Sequence, residues 1–329
     1  MRAAWAFAVV FSACTADIIA PPSVSGLPPG SDPTNPNDPT NPNNPNEPGP
    51  KPPAFACEPA AEPSPSVVHR LTRTQYAATL EDLLRRAYDT NTVRALFQAP
   101  ALSGALAALP VDGTGGKELV YDSQDQRIST LLVQPQLDAA TTVAEWIAND
   151  PGRLSAFTNT FGGCTTPAAS ACVDAVVRGF GLRALRRPLS DADGDFTFYR
   201  AAYDATEYGG YRGLIAAYLL SPGFLFRPET RGADVAERLT RLDPYELASR
   251  LSYALTGSMP DDALLTAAAA GLDSTALAAQ ADRLLATPRA RAHLEGFFRQ
   301  WVNHERVHAF NPSAVPSLGV VEPNGPAQA

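Results

Sequence analysis

Past its first thirteen residues the sequence has no apolar run long enough to cross a bilayer, no surplus of positive charge, and no CxxC pair among its four cysteines. The first absence argues against a membrane-embedded helical body. The formal net charge of −8 sets nucleic acid aside as a partner, because phosphate binding needs a basic face and the counterion release that goes with it. Without CxxC there is no CxxCH for covalent haem, and no thioredoxin-like or zinc-ribbon spacing. No segment reads as a strand ladder, and no complete catalytic signature stands anywhere.

What is present begins with a charged start, Met1-Arg2, and the apolar stretch Ala3 to Ala13, which together read as a signal peptide over residues 1–13. The stretch ends in Phe11-Ser12-Ala13-Cys14. Small residues directly before a cysteine are similar to the lipobox of bacterial lipoproteins, with Phe11 in place of the usual Leu. Cys14 is therefore expected to carry lipid, and several acyl chains on one residue make membrane attachment stable. The alternative is cleavage after Ala16 or Ala20, which would release a soluble chain. Lipidation predicts an exported protein anchored in the cell envelope, at the outer membrane or cell surface.

Within residues 14–64, read as a Pro/Asn-rich tether, the stretch from Pro21 to Pro53 is dominated by Pro, Asn, Gly and Asp and contains the repeat Asp32-Pro-Thr-Asn-Pro-Asn37, Asp38-Pro-Thr-Asn-Pro-Asn43. Such a segment cannot bury a core. At ~3 Å per residue in the polyproline form it reads as a disordered tether reaching roughly 100 Å.

The close pair Cys164 and Cys172 brackets a short loop leading into a helix. In an oxidising compartment the two are expected to be joined, closing a loop worth about 2 to 3 kcal/mol. Cys57 then has no partner if Cys14 is lipidated; with Cys14 retained unmodified, four cysteines allow three connectivities.

The remainder is helix after helix. Thr72-Arg-Thr-Gln75 is a capping box, flanked by Leu71 and Tyr76, with Tyr76, Leu80, Leu83 and Leu84 as the buried stripe behind it. Asp243-Pro244-Tyr-Glu246 repeats the signal between Leu242 and Leu247. Ser190 before Asp193 and Thr287 before Pro288 open two more. Leu242, Leu247, Leu251 and Leu255 form one apolar face, and Phe297, Phe298 and Trp301 another. Arg183, Arg186 and Arg187 stand where a helix ends before Pro188, as cations that complement its dipole. The expected fold is all-α, a bundle-like multi-helix body with a first helical region at 65–230, a second at 231–305 and an irregular tail at 306–329.

These words resemble a family of large exported bacterial proteins built from domains of unknown function, of planctomycete and myxobacterium type. Arg70 to Leu84 resembles its opening segment, Arg183 to Leu189 with Gly223 to Arg227 its middle, and Leu242 to Trp301 its third. Two departures stand out. Ser252-Tyr-Ala-Leu-Thr256 replaces the family's SYFLW, losing two aromatic rings. Longer members continue into segments with a CxxCH haem motif, so this chain looks like a shortened, haem-less member. The resemblance implies a link to electron transfer in the envelope and supplies no catalytic residue to carry over.

His304-Glu305-Arg-Val-His308 matches HExxH, in which two histidines one turn apart bind zinc and the glutamate activates water. Against it, Arg306 is charged, Asn311 and Ala314 fail the extended pattern, and Glu322, the only downstream acid, lies in a Pro-Gly tail. His304, Glu305 and His308 are read as surface residues at a helix end, with the zinc site as the alternative. His69 and His293 are isolated, and Asp261-Asp262 after Pro260 reads as helix capping. No catalytic residue and no cofactor are assigned. The expectation is a non-catalytic binding or assembly module, accessory to a c-type cytochrome system, with the membrane and an envelope protein as partners. The alternative is an enzyme: an oxidoreductase with a non-covalent cofactor, or an HExxH zinc hydrolase.

Overall fold

The structure, a computed structural model, describes residues 69–110, 130–189, 194–229, 232–236 and 239–301, all within one unit of the chain, Val67–Ala329. The expected signal peptide and tether, Cys14, Cys57, Ser190, Asp193, the HExxH string and the expected irregular tail lie outside the described residues. The described body is all-α. Helices run α1 (Arg73–Leu84), α2 (Thr90–Gln98), α3 (Pro100–Ala108), α4 (Thr130–Ala148), α5 (Pro151–Gly162), α6 (Ser170–Ala184), α7 (Asp195–Asp204), α8 (Gly210–Leu219), α9 (Pro222–Leu225), α10 (Pro244–Thr256), α11 (Asp262–Ala269), α12 (Ser274–Leu285) and α13 (Pro288–Trp301). Among the described residues no helix is long and apolar enough to cross a membrane.

The predicted caps form. Thr72 Oγ1 accepts from the Gln75 amide and Gln75 Oε1 accepts from the Thr72 amide, both at 3.1 Å. Asp243 and Glu246 exchange the same pair of bonds at 2.8 and 3.0 Å. These satisfy amide donors that the first helical turn leaves unpaired. Thr287 Oγ1 likewise accepts from the Ala290 amide at 3.2 Å.

Short extended pieces, not anticipated from the sequence, join parts of the body. His69–Arg70 (β1) pairs antiparallel with Phe226–Arg227 (β2), and Asp234–Ala236 (β3) with Leu239–Thr240 (β4). Two or three residues are too few to show a period of two, so no pattern betrays them.

The larger core is aromatic at its centre. Phe157, Phe161 and Phe180 sit with ring centroids 4.9 to 5.1 Å apart, Tyr218 adds an edge contact to Phe180 at 5.3 Å, and Tyr199 stacks on Tyr218 at 3.7 Å. α5 and α6 approach closely because Gly179 has no side chain; a Cβ there would lie 1.9 Å from the Phe161 carbonyl oxygen. Beside this crossing the Cys164–Cys172 disulfide closes the α5–α6 loop, with a Cα–Cα separation of 5.7 Å.

A second, smaller cluster gathers Ala248, Leu264, Ala268, Leu272 and Leu284, with Leu247, Leu251 and Leu255 packed against it. α10 thus has two buried faces. The leucine face read from the sequence is only partly buried. Deeper lies the opposite face, Ser249, Ser252, Tyr253 and Thr256, with Tyr253 part of the larger core. Leucine spacing located one contact surface and could not reveal that a more polar one packs tighter. The third stripe also differs from expectation: Phe298 and Trp301 are 51 % and 57 % exposed among the described residues.

Candidate functional site

At the end of α1 the chain leaves Asp82, Arg85 and Arg86 facing the C-terminal end of α10. That end is fixed by Gly257, whose left-handed φ of 69° stops the helix and turns the chain through Ser258, Met259 and Pro260 to Asp261, the cap of α11. Leu284 at the end of α12 and Thr287 and Arg289 at the start of α13 supply the remaining wall. Together with Ser252 and Thr256 these residues enclose a cleft of about 320 Å³, within the small-molecule range.

Its carboxylates are committed. Asp82 accepts two contacts from Arg289 Nη1, at 2.7 and 2.5 Å, and one from Ser258 Oγ at 2.7 Å. Asp261 accepts a forked pair from Arg283 at 2.7 and 2.8 Å and the Leu264 amide at 2.9 Å. Burial pulls the Asp261 carboxyl upward, but the Arg283 and Leu264 hydrogen bonds outweigh it and hold the group below its ordinary value. Just outside the lining, Asp262 bridges Arg86 and Arg183, the latter at 3.0 Å, tying α11 to both α1 and α6. Arg86 Nε is buried and has no hydrogen-bond partner among the described residues.

Behind the cleft lies a second polar centre. Arg186 is 2 % exposed, has a left-handed φ of 59°, and donates to the carbonyls of Ala184, Gly223, Phe224 and Phe226 at 2.5 to 3.4 Å. Ala184 ends α6, and Gly223 and Phe224 lie in α9, so helix-end carbonyls, with their partial negative charge, face the cation. The guanidinium also lies 5.6 Å from the Tyr253 ring centroid, and Arg227 approaches the same ring at 5.3 Å. Burial lowers the Arg227 pKa. Arg183 and Arg186 therefore divide the role assigned to the basic cluster. Arg183 donates to Gly179 O at 3.1 Å inside the last turn, as expected, whereas Arg186 is a buried cross-link between α6, α9, β2 and α10.

The residues singled out by sequence are dispersed. Cys164 and Cys172 belong to the α5–α6 loop and not to the cleft. His69 in β1 is half-buried, its pKa lowered by burial and by Arg227. His293 on α13 is lowered by burial and by Arg289 and packs against Gly257. Asp261 caps a helix as predicted and also lines the cleft. Thr256, where the resemblance expects tryptophan, is a lining residue, whereas Ala254, the other lost aromatic, is exposed. Asp82, Arg85, Arg86, Ser258 and Arg289 carried no sequence signal beyond ordinary helix-surface polarity. Among the described residues no group of three or more His, Cys, Asp or Glu gathers where a metal could be held.

Residues 242–318 match the family described as PSD4, a protein of unknown function (DUF1592). The match takes in α10 to α13, which supply most of the cleft lining and carry the third segment of the resemblance. No curated protein and no solved structure matches the chain.

Proposed function

We propose that this protein is a cell-envelope lipoprotein, anchored through Cys14 and carried on its 14–64 tether, whose helical body is a non-catalytic binding or assembly module accessory to a c-type cytochrome system. The observation that supports a binding role is the state of the cleft carboxylates. Asp82 and Asp261 are each locked to an arginine and at least one further donor, and a carboxylate so committed recognises and braces in place of moving a proton. The anchor and tether rest on the sequence of residues 1–64, and the redox association on the family resemblance.

The test is the native intact mass of the protein purified from bacterial envelopes. A polypeptide carrying lipid on Cys14, one disulfide and nothing else supports the tethered module, and Cys14→Ser should then appear in the soluble fraction. Stoichiometric zinc lost in His304→Ala and His308→Ala, or the mass of an organic cofactor, would replace this reading with the enzyme alternative.

A further inference from the structure

Three arginines, Arg85, Arg86 and Arg289, line the cleft against two aspartates, Asp82 and Asp261, and the hydrogen-bonding capacity of the two sides is unequal as well. Asp82 and Asp261 receive three contacts each from within the chain. The arginines are less fully engaged. Arg85 spends Nη2 on Glu81 at 2.5 Å, and its Nε and Nη1 donate to no described residue. Arg289 spends Nη1 on Asp82 and Nε on the Thr256 carbonyl at 3.3 Å, leaving Nη2 uncommitted among the described residues. Both side chains keep 42 % of their surface exposed, one on the α1 wall and one on the α13 wall of the same cleft.

From these we infer that the cleft between α1 and the α10–α13 segment binds a small organic oxyanion, a carboxylate or phosphate ester whose oxygens take the spare guanidinium donors of Arg85 and Arg289. Three features fit this chemistry. Spare capacity made of donors calls for an acceptor-rich ligand, and a guanidinium fork matches carboxylate and phosphate geometry better than an ammonium does. The cations of the cleft are all arginine; Lys51 and Lys117 are the chain's two lysines among 26 basic residues. Met259, Pro260 and Leu284 give the lining an apolar part, suited to a carbon skeleton and not to a bare ion. A chain of net charge −8 offers no long-range attraction to an anion, so capture depends on this local donor set. The inference rests on the binding-module reading and names the ligand class for it.

The test is calorimetric titration of the purified full-length chain at low salt with citrate, with glycerol phosphate, with inorganic phosphate and with neutral glycerol. Saturable binding of citrate or glycerol phosphate is expected, weakened about tenfold or more in Arg85→Gln, because that variant removes charge-assisted hydrogen bonds to the ligand. Arg289→Lys keeps the charge beside Asp82 but loses the fork, and should weaken binding as well. Arg94→Gln, on α2 away from the cleft, should bind as the parent does, and glycerol should not bind. Citrate alone would assign organic acids, and glycerol phosphate alone phosphate esters. Absence of saturable binding by either, binding of inorganic phosphate alone, or binding unchanged in both Arg85→Gln and Arg289→Lys would overturn the inference. Unfolding midpoints of the unliganded variants distinguish lost affinity from lost fold. The module reading fails on a different readout, the bound cofactor or zinc of the native mass, so the two can fall separately.

Discussion

Tyr253 on α10 and Thr79 on α1 share a hydrogen bond of 2.8 Å between hydroxyls that are both buried, a contact joining residues 174 positions apart. It fixes α10 against α1, the two helices whose ends form opposite walls of the cleft. The Arg186 and Arg227 guanidinium groups lie 5.6 and 5.3 Å from the centroid of the same tyrosine ring.

Tyr253→Phe should therefore destabilise the body by roughly 1–3 kcal/mol, the cost of leaving a buried hydroxyl without its partner. Thr79→Val should cost a similar amount. The double variant should lose less than the sum, a coupling that chemical denaturation of the four proteins would read. Additive losses would mean that the hydroxyls act independently.

Gly257→Ala should be destabilising twice over. The residue holds φ 69°, and an added Cβ would lie 2.7 Å from His293 Nδ1. A side chain in the left-handed region costs about 1 kcal/mol before any clash is counted. Trimming the neighbour in a Gly257→Ala, His293→Ala double variant should relieve the clash and leave only the backbone cost. Thermal unfolding would separate the two terms.

Replacing Cys164 and Cys172 together by serine removes a cross-link between residues eight apart. For so short a loop the chain-entropy model gives about 2.5 kcal/mol. Equilibrium unfolding in urea should show that loss, and a reductant should reproduce it in the parent but do nothing further to the variant.

The body should lose stability as the solution is acidified below neutrality. His69 and His293 are both held below the ordinary imidazole value of 6.5, by burial first and then by Arg227 and Arg289 respectively. As pH falls through 6.5 the unfolded chain takes up protons that the folded chain still refuses, so stability drops until the folded imidazoles titrate in turn. Above that window the two groups contribute no slope. A His69→Asn, His293→Asn variant should show a flatter urea midpoint between pH 7.5 and 5. Asp261, held below its ordinary value of 3.8, adds a separate loss at lower pH, as its carboxylate is protonated.

Much of the fold was legible in the residues. Thr72 with Gln75, and Asp243 with Glu246, announced helix starts because capping is a local exchange between residues three apart. Tyr76, Leu80, Leu83 and Leu84 announced a buried stripe because helical periodicity is local as well. Cys164 and Cys172 were close enough in sequence for their pairing to be foreseen. The cleft was not legible. Asp82 and Arg289 are 207 positions apart, Arg183 and Asp262 are 79 apart, and nothing in either neighbourhood marks the other.

The sequence by itself determined an all-α body, the helix starts at Thr72, Asp243 and Thr287, one disulfide and the buried stripe of α1, since each follows from interactions between residues a few positions apart. Tertiary structure decided which face of α10 is buried deepest, that Arg186 crosses the core to meet helix-end carbonyls, and that α1 and the α10–α13 segment enclose a cleft with arginine donors to spare. Those outcomes depend on how helices pack against one another, where the identity of a neighbour is set by the path of the whole chain.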